Sequence, residues 1–125
     1  MINFVSKGWG FEKWFCNSEK YCGKLLYFVK SKKCSLHYHK LKDETFFIQS
    51  GMIRLRYALV DEQGKIGEQI VETILSKGDV FHIPPLLAHQ MIALEDTELI
   101  EFSTQHFDED SYRIDRKSTR LNSSH

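Results

Sequence analysis

Short segments rich in β-forming residues follow one another along almost the whole chain, and turn-forming residues separate them. No stretch of about ten residues sustains the periodicity of an amphipathic helix. Many short strands at regular spacing are typical of a β-sandwich or a small β-barrel. The sequence therefore predicts an all-β fold, with strands at 24–30, 33–39, 44–50, 52–60, 69–75, 79–83, 89–93 and 98–103, a turn at 61–65 and a single helical turn within 107–113.

Side-chain alternation is clearest between Ile53 and Leu59, where apolar residues at odd positions alternate with Arg54 and Arg56. Because neighbouring side chains on a strand point to opposite faces, the apolar set is expected to face a core. The two arginines then share the other face. They are candidates for binding a phosphate, with an exposed polar face as the simpler alternative.

The composition fits one globular domain. The chain has 125 residues, 27% charged and 42% hydrophobic, which excludes a collagen-like, low-complexity or largely disordered protein. The 17 basic and 17 acidic side chains cancel, so bulk charge predicts neither nucleic acid nor membrane as a partner. No apolar run approaches the ~20 residues of a membrane span, and the N-terminal residues lack the pattern of a secretory signal. The 3 cysteines form no CxxC motif and cannot all pair, so we expect reduced thiols in a cytoplasmic protein.

The C-terminal segment 115–125 is predicted to lie outside the domain. It reads DRKSTRLNSSH, and this string is similar to a translated sequencing adapter. We therefore expect a single domain over residues 1–114, with 115–125 outside the fold.

Two groups of histidines carry the chemistry that the sequence suggests. His37 and His39 are two positions apart, so on a strand they project from the same face. A turn after His39 would let an antiparallel neighbouring strand begin at Glu44 and bring its carboxylate beside the imidazoles. His89 follows a Pro-Pro corner, and a closed barrel could supply it as a further ligand from a distant strand. Imidazole and carboxylate groups together suit Fe(II), Mn(II), Ni(II), Co(II) or Zn(II).

The pattern HxHxxxxE followed by glycine, and then GDxxxIPxxxxH, resembles the two signature motifs of the cupin superfamily. This resemblance implies a double-stranded β-helix, a small jelly-roll barrel with a metal inside. It also implies that His37, His39, Glu44 and His89 are the ligands of one divalent transition metal ion.

Two positions depart from the second cupin motif. Leu86 stands where the motif usually has glycine, and Ala93 stands where it often has asparagine. Neither position supplies a metal ligand, so the implied metal site is unaffected.

The flanks of the domain narrow the resemblance. The opening sequence Gly8-Trp9-Gly10-Phe11-Glu12 and the closing segment 100–113 are similar to those of sugar-phosphate cupins, in particular the C-terminal cupin domain of type II mannose-6-phosphate isomerases. The resemblance implies a small-molecule substrate, a sugar phosphate, and aldose–ketose isomerisation. In that reaction a metal polarises the substrate oxygens while a base moves a proton between two carbons.

Several side chains are candidates for the remaining roles. Glu101 and Tyr38 are candidates for the catalytic base, and Lys42, Arg54 and Arg56 are candidates for binding the substrate. A solvated turn is the simpler expectation for Lys42, and a surface position is the expectation for His82 and His106.

Other functions use the same set of residues. A cupin lyase or dioxygenase would have the same three histidines and one glutamate. A sugar-binding or nucleotide-sugar-binding module would need no catalysis, and fold alone does not choose among these functions. A homodimer is also left open.

Overall fold

The computed structural model describes residues 3–67 and 69–114, so the segment 115–125 lies outside the described residues. The described residues form strands β1 (Asn3–Lys7), β2 (Gly10–Asn17), β3 (Cys22–Phe28), β4 (His37–Tyr38), β5 (Glu44–Ser50), β6 (Met52–Leu59), β7 (Val71–Ser76), β8 (Val80–Ile83), β9 (Leu87–Ala93), β10 (Thr97–Ser103) and β11 (Tyr112–Arg113), with a 3-10 turn at Asp108–Asp110. None of these residues forms a helix with the length and hydrophobicity that a bilayer crossing requires.

The strands form two antiparallel sheets. One has six strands in the order β1-β2-β3-β10-β5-β8, and the other has five in the order β11-β4-β9-β6-β7. Strands that are neighbours in a sheet are therefore often distant in sequence, as in a jelly roll. The predicted all-β jelly-roll architecture is confirmed.

The inner faces of the two sheets form one apolar core. In β3, β5 and β10, buried residues alternate with less buried ones along most of each strand. Phe28, Ile48 and Leu99 from the six-stranded sheet pack in one cluster with Ile53 and Leu55 from the other sheet, and all five are fully buried. These residues form the apolar core that holds the two sheets together.

The predicted alternation in β6 holds only for its first half. Ile53 and Leu55 are buried as expected, but Ala58 is buried and Leu59 is 61% exposed. The prediction was wrong for Leu59, which is exposed at the end of β6 although β6 pairs with β9 without a register shift. Ala58 is buried on the other face, opposite Ala88 of a second apolar cluster.

Gly51, Gly78 and Leu86 take left-handed backbone conformations at positions where the motifs have glycine. Gly51 has φ +93°, and a Cβ there would lie 2.3 Å from the backbone oxygen of Asp96. Leu86, which replaces the usual glycine of the second motif, has φ 67°. The backbone therefore keeps the turn that glycine would favour, and Leu86 adopts a conformation that is uncommon for a side chain of its size.

Candidate metal centre

Three imidazoles meet on the inner face of the five-stranded sheet. His37 in β4 pairs directly with His89 in β9, and His39 follows β4 at the next inward position. The ring centroids of His37 and His89 are 4.4 Å apart, and those of His39 lie 5.3 Å from His37 and 5.7 Å from His89. One nitrogen from each ring lies within 4.8 Å of the other two, so the predicted convergence of the three histidines is confirmed.

Backbone carbonyl oxygens fix the protonation of all three rings. A carbonyl oxygen can only accept a hydrogen bond, so the Nδ1 atom that contacts it must carry the hydrogen. The lone pair of each ring is then on Nε2, which is the arrangement that metal-binding histidines commonly use. The acceptors for His37, His39 and His89 are Ser35, Asp110 and Leu87, at 2.8, 2.8 and 2.9 Å.

Glu44 reaches the histidines from the opposite sheet. Its Oε2 atom lies 3.4 Å from Nε2 of His39 and 3.4 Å from Nε2 of His89. The expected proximity is present, but the expected strand pairing was wrong, because β5 pairs with β10 and β8 whereas β4 pairs with β9 and β11. The carboxylate therefore crosses the interior of the sandwich, which makes the cluster depend on the packing of the two sheets.

The surroundings of Glu44 Oε2 show whether a cation would fit among the histidines. Oε2 of Glu44 is buried and has no hydrogen-bond partner among the described residues. When Glu44 is ionised, this oxygen faces the Nε2 lone pairs of His39 and His89, so acceptor atoms face one another without a hydrogen between them. A divalent cation among these atoms would remove that conflict, and imidazole with carboxylate is a donor set for first-row transition metals. The residues therefore fit a metal.

The interior keeps the three imidazoles neutral. Burial and the neighbouring His89 lower the pKa of His37 to about 3. Burial also lowers the pKa values of His39 and His89 to about 4. Neutral imidazoles are the form that binds a metal, so protons compete little for these three nitrogens near neutral pH. Burial and the charge of Glu101 raise the pKa of Glu44.

Asp110, in the 3-10 turn, holds the loop between the two ligand-bearing segments. Its carboxylate accepts hydrogen bonds from the backbone N–H groups of Lys40, Leu41 and Lys42 at 2.9, 3.1 and 3.0 Å. Its own carbonyl accepts the Nδ1 hydrogen of His39. One buried aspartate therefore fixes both the orientation of His39 and the path of the chain toward Glu44.

Lys42 is buried in the site, so the expectation of a solvated turn was wrong. Its Nζ atom lies 2.7 Å from Oε2 of Glu101, 3.6 Å from Oε1 of Glu44 and 3.0 Å from Nδ1 of His106. Burial opposes ionisation of Glu101, but the Lys42 ammonium and a hydrogen bond from Ser103 outweigh it and lower the pKa of that carboxyl. Lys42 thus lies between two carboxylates, that of Glu44 beside the histidines and that of Glu101.

A cavity of about 930 Å³ opens beside His37, His39 and Glu44. Lys24, Trp14 and His106 line it as well. His106 was expected at the surface, but its side chain is only 13% exposed, with Nε2 3.0 Å from the exposed Asp108 and its ring edge against Trp14. The cluster therefore lies in the wall of a space large enough for a small molecule.

Three predicted site residues lie elsewhere. Tyr38 points away from the cluster, because it has the opposite strand parity to His37, and it stacks on Tyr112 at 5.2 Å in a separate apolar cluster. Arg54 and Arg56 lie on the outer face of β6 and pair with Glu72 at 3.9 and 3.3 Å. These three side chains do not line the cavity that holds the histidines. His82 is at the surface as expected, beside Asp43.

Sequence reasoning assigned no site role to Lys24, Trp14, His106 or Asp110. Lys24 and Glu101 are directly opposite in the register of β3 and β10, and residues that far apart in sequence gave no sign of being neighbours. Period-two alternation in 22–28 was the one available signal, since it places Lys24 on the same face as the buried Leu26 and Phe28.

A protein-family model described as Cupin matches residues 30–120 of the chain. No curated protein matches the sequence.

Solved structures with this fold include proteins of different function. The capsular polysaccharide assembling protein CapF from Staphylococcus aureus has a TM-score of 0.76 and 22% identity, covering 92% of this chain and 33% of that one. KdgF from Halomonas sp. has a TM-score of 0.69 and 19% identity, covering 86% and 89%. A variant of oxalate decarboxylase from Bacillus subtilis has a TM-score of 0.75 and 17% identity, covering 98% and 34%. The chain spans about a third of the length of CapF and oxalate decarboxylase, and identities this low show the fold alone.

Proposed function

The chain belongs to the cupin family, and on that premise we propose that it is a metal-dependent cupin that acts on a small sugar-type molecule. The observation that carries this proposal is the cluster of three imidazoles with the orphaned Glu44 oxygen 3.4 Å from two of them, beside a cavity of about 930 Å³. A structural metal site is normally closed by protein ligands, whereas this cluster borders an open space.

His37, His39, His89 and Glu44 are the proposed ligands of one divalent ion of Mn, Fe, Co, Ni or Zn. Such an ion, when bound, would polarise the carbonyl and hydroxyl oxygens of a substrate. Lys42 holds Glu44 in place through its contact with Oε1. The hydrogen bond from His39 to Asp110 fixes the direction of that ring.

The reaction we favour is aldose–ketose isomerisation of a sugar phosphate such as mannose-6-phosphate. Its support is the likeness of the flanking sequences to sugar-phosphate cupins, together with a cavity that carries both the histidine cluster and cationic side chains. Of the two base candidates, only Glu101 lies in the cavity wall. Its ion pair with Lys42 lowers its pKa, which makes the carboxylate a weak base.

Because the Lys42–Glu101 ion pair makes the one base candidate in the cavity wall a weak base, it favours a second candidate function. This is a sugar-binding or nucleotide-sugar-binding module without catalysis. CapF, which has the same fold, is described as a capsular polysaccharide assembling protein. That description is compatible with a module that binds a sugar. A module of this kind needs the cavity and the metal but no base.

A single experiment separates the candidates. The purified protein is loaded in turn with Mn, Fe, Co, Ni and Zn and incubated with mannose-6-phosphate or fructose-6-phosphate in D₂O, and proton NMR follows the sugar. Interconversion with deuterium at C1 or C2, lost in His89→Ala, supports the isomerase. Saturable binding without turnover supports the binding module. Unchanged sugar phosphates with oxygen consumption on another substrate would point to a dioxygenase and contradict the isomerase.

A further inference from the structure

Lys24 is a buried lysine on the cavity wall, and its ammonium group has unused hydrogen-bond donors. The side chain is 2% exposed, and its nearest carboxylate oxygen among the described residues, Glu12 Oε1, is 3.8 Å away, beyond hydrogen-bond length. That oxygen instead accepts a hydrogen bond from Nε1 of Trp14 at 2.8 Å. The Trp14 ring lies 3.8 Å from Nζ and offers it a π face but no acceptor. Because an ammonium group carries three N–H donors, this one is under-satisfied.

The other buried lysine of the cavity differs in this respect. Nζ of Lys42 has Glu101 at 2.7 Å and His106 at 3.0 Å, with Glu44 at 3.6 Å. Its donors are therefore taken up by the protein. Lys24 is the buried cation that gains most from an acceptor supplied by a ligand, since a buried charge without hydrogen bonds is costly.

The charge of the cavity favours an anionic ligand. Five cationic side chains line it against four carboxylates, and a divalent ion at the histidines would add further positive charge. Lys7, Lys33 and Arg113 belong to this lining, so an approaching molecule also meets positive charge there. A neutral hydroxyl could accept from Lys24 but would gain nothing from this field.

We propose that Lys24 anchors the anionic group, carboxylate or phosphate, of a small molecule whose other end reaches the histidine cluster. This proposal deepens the proposed function. It rests on that function for the contact between the other end of the ligand and the histidine cluster. It makes the substrate class small acids or phosphate monoesters of about sugar size. Trp14 and Glu12 then act as positioning residues, because they hold the ammonium group against the wall without satisfying its donors.

The test measures binding by calorimetry to the full chain, with and without zinc. The probes are inorganic phosphate, mannose-6-phosphate, glucuronate and the neutral sugar mannose. Lys24→Met removes the charge and keeps the stem, and should weaken binding of the anionic probes about tenfold, as loss of a charge-assisted hydrogen bond does. Lys33→Met, a matched loss of one exposed lysine from the same cavity, should change it by less than about threefold. Tighter binding of mannose-6-phosphate would identify the anionic group bound by Lys24 as a phosphate, and tighter binding of glucuronate would identify it as a carboxylate.

Two further variants guard against a purely structural role for Lys24. Lys24→Arg should retain anion binding. Glu12→Gln keeps an oxygen for Trp14 but removes the competing negative charge, and should strengthen anion binding about threefold. Binding of mannose as tight as that of mannose-6-phosphate, equal losses in Lys24→Met and Lys33→Met, or weaker binding in Glu12→Gln would overturn the proposal.

The metal-free arm separates this proposal from the proposed function. If zinc binds at the histidines and anion binding is unchanged in Lys24→Met, the proposed role of Lys24 is wrong and the proposed metal centre is supported. If zinc does not bind but metal-free protein loses phosphate binding in Lys24→Met, the anchor is supported and the metal centre is wrong.

Discussion

Lys42 Nζ lies 2.7 Å from Oε2 of Glu101, and both side chains are almost completely buried between the two sheets. Buried ion pairs often contribute little net stability, since both charges must leave water. Removing one partner is different, because it leaves the other charge buried and uncompensated. Here the loss of Lys42 would also leave the carboxylates of Glu44 and Glu101 without the cation that lies between them.

Lys42→Met should lower the free energy of unfolding by about 3 kcal/mol, whereas Lys42→Met combined with Glu101→Gln should lose less than the sum of the single changes. Urea denaturation of the metal-free protein measures both. Arg54→Met is the matched control, since its ion pair with Glu72 is exposed and should be worth less than about 1 kcal/mol. Equal costs for the Lys42 and Arg54 variants would mean that the buried pair is not essential to the fold.

The metal-loaded protein should hold close to one equivalent of a first-row transition metal per chain. His89→Ala and Glu44→Gln should each weaken cobalt(II) binding by more than about a hundredfold, because each removes one donor from the site. The visible absorption of bound cobalt and elemental analysis provide the measurement. His82→Ala removes an exposed histidine and should leave binding unchanged. If no metal binds after reconstitution, the assignment of the four ligands is wrong.

The strands could be predicted from local pattern wherever one face is clearly apolar. The predicted segment 44–50 agrees with β5, and 98–103 agrees with β10 to within one residue. The first two strands, β1 and β2, were missed because most of their residues are exposed or half-buried, so they lack a regular apolar face. The predicted strand 33–39 shrinks to β4 because the segment before it only bridges Ile92 at Lys33.

The clustering of His37, His39 and His89 could be predicted because the motif spacing reflects the fold of a whole family, whereas the network around these histidines could not. Lys24, Lys42 and Glu101 come from three separate segments, and their contacts exist only once the sheets pack together. Tyr38 could have been excluded from the site by sequence alone. It is adjacent to His37 on one strand, so the two side chains point to opposite faces of the sheet.

Gly51 is required by the backbone at the turn between β5 and β6. At φ +93° any other residue is strained, and a Cβ would also lie 2.4 Å from Oγ1 of Thr97. Gly51→Ala should therefore lower the free energy of unfolding by about 2 kcal/mol or more, measured by urea denaturation. Gly8→Ala is the control, because a Cβ there meets no atom within 4 Å, and its effect should stay within about 0.5 kcal/mol. Similar effects at both positions would contradict this account of the motif glycine.

The stability of the metal-free protein should fall as the pH is lowered from about 6.5 to 4.5. His37, His39 and His89 have folded-state pKa values of about 3, 4 and 4, below the ~6.5 of an unfolded chain, so the unfolded state binds more protons in this window. Glu44 works in the opposite direction, because burial raises its pKa and the folded state takes up a proton there. Glu101 stays ionised in the folded state, because its pKa is lowered, and adds to the loss only near the lower end of the window, where the unfolded carboxyl titrates with a pKa of ~4.3.

Three histidines stand against one carboxyl, so the net difference is close to two protons in the lower part of this window, which corresponds to a loss of about 2.7 kcal/mol per pH unit, and the lowered pKa of His106 adds in the same direction. Urea denaturation at pH 6.5, 5.5 and 4.5 in the presence of a chelator measures the slope. His89→Gln should reduce the slope by about one proton, because the buried amide does not titrate, whereas His82→Gln should leave the slope unchanged. A stability that stays flat or rises toward pH 4.5 would mean that the three imidazoles are not held neutral, and the Nε2 lone pairs of His39 and His89 would then not face Glu44 as described.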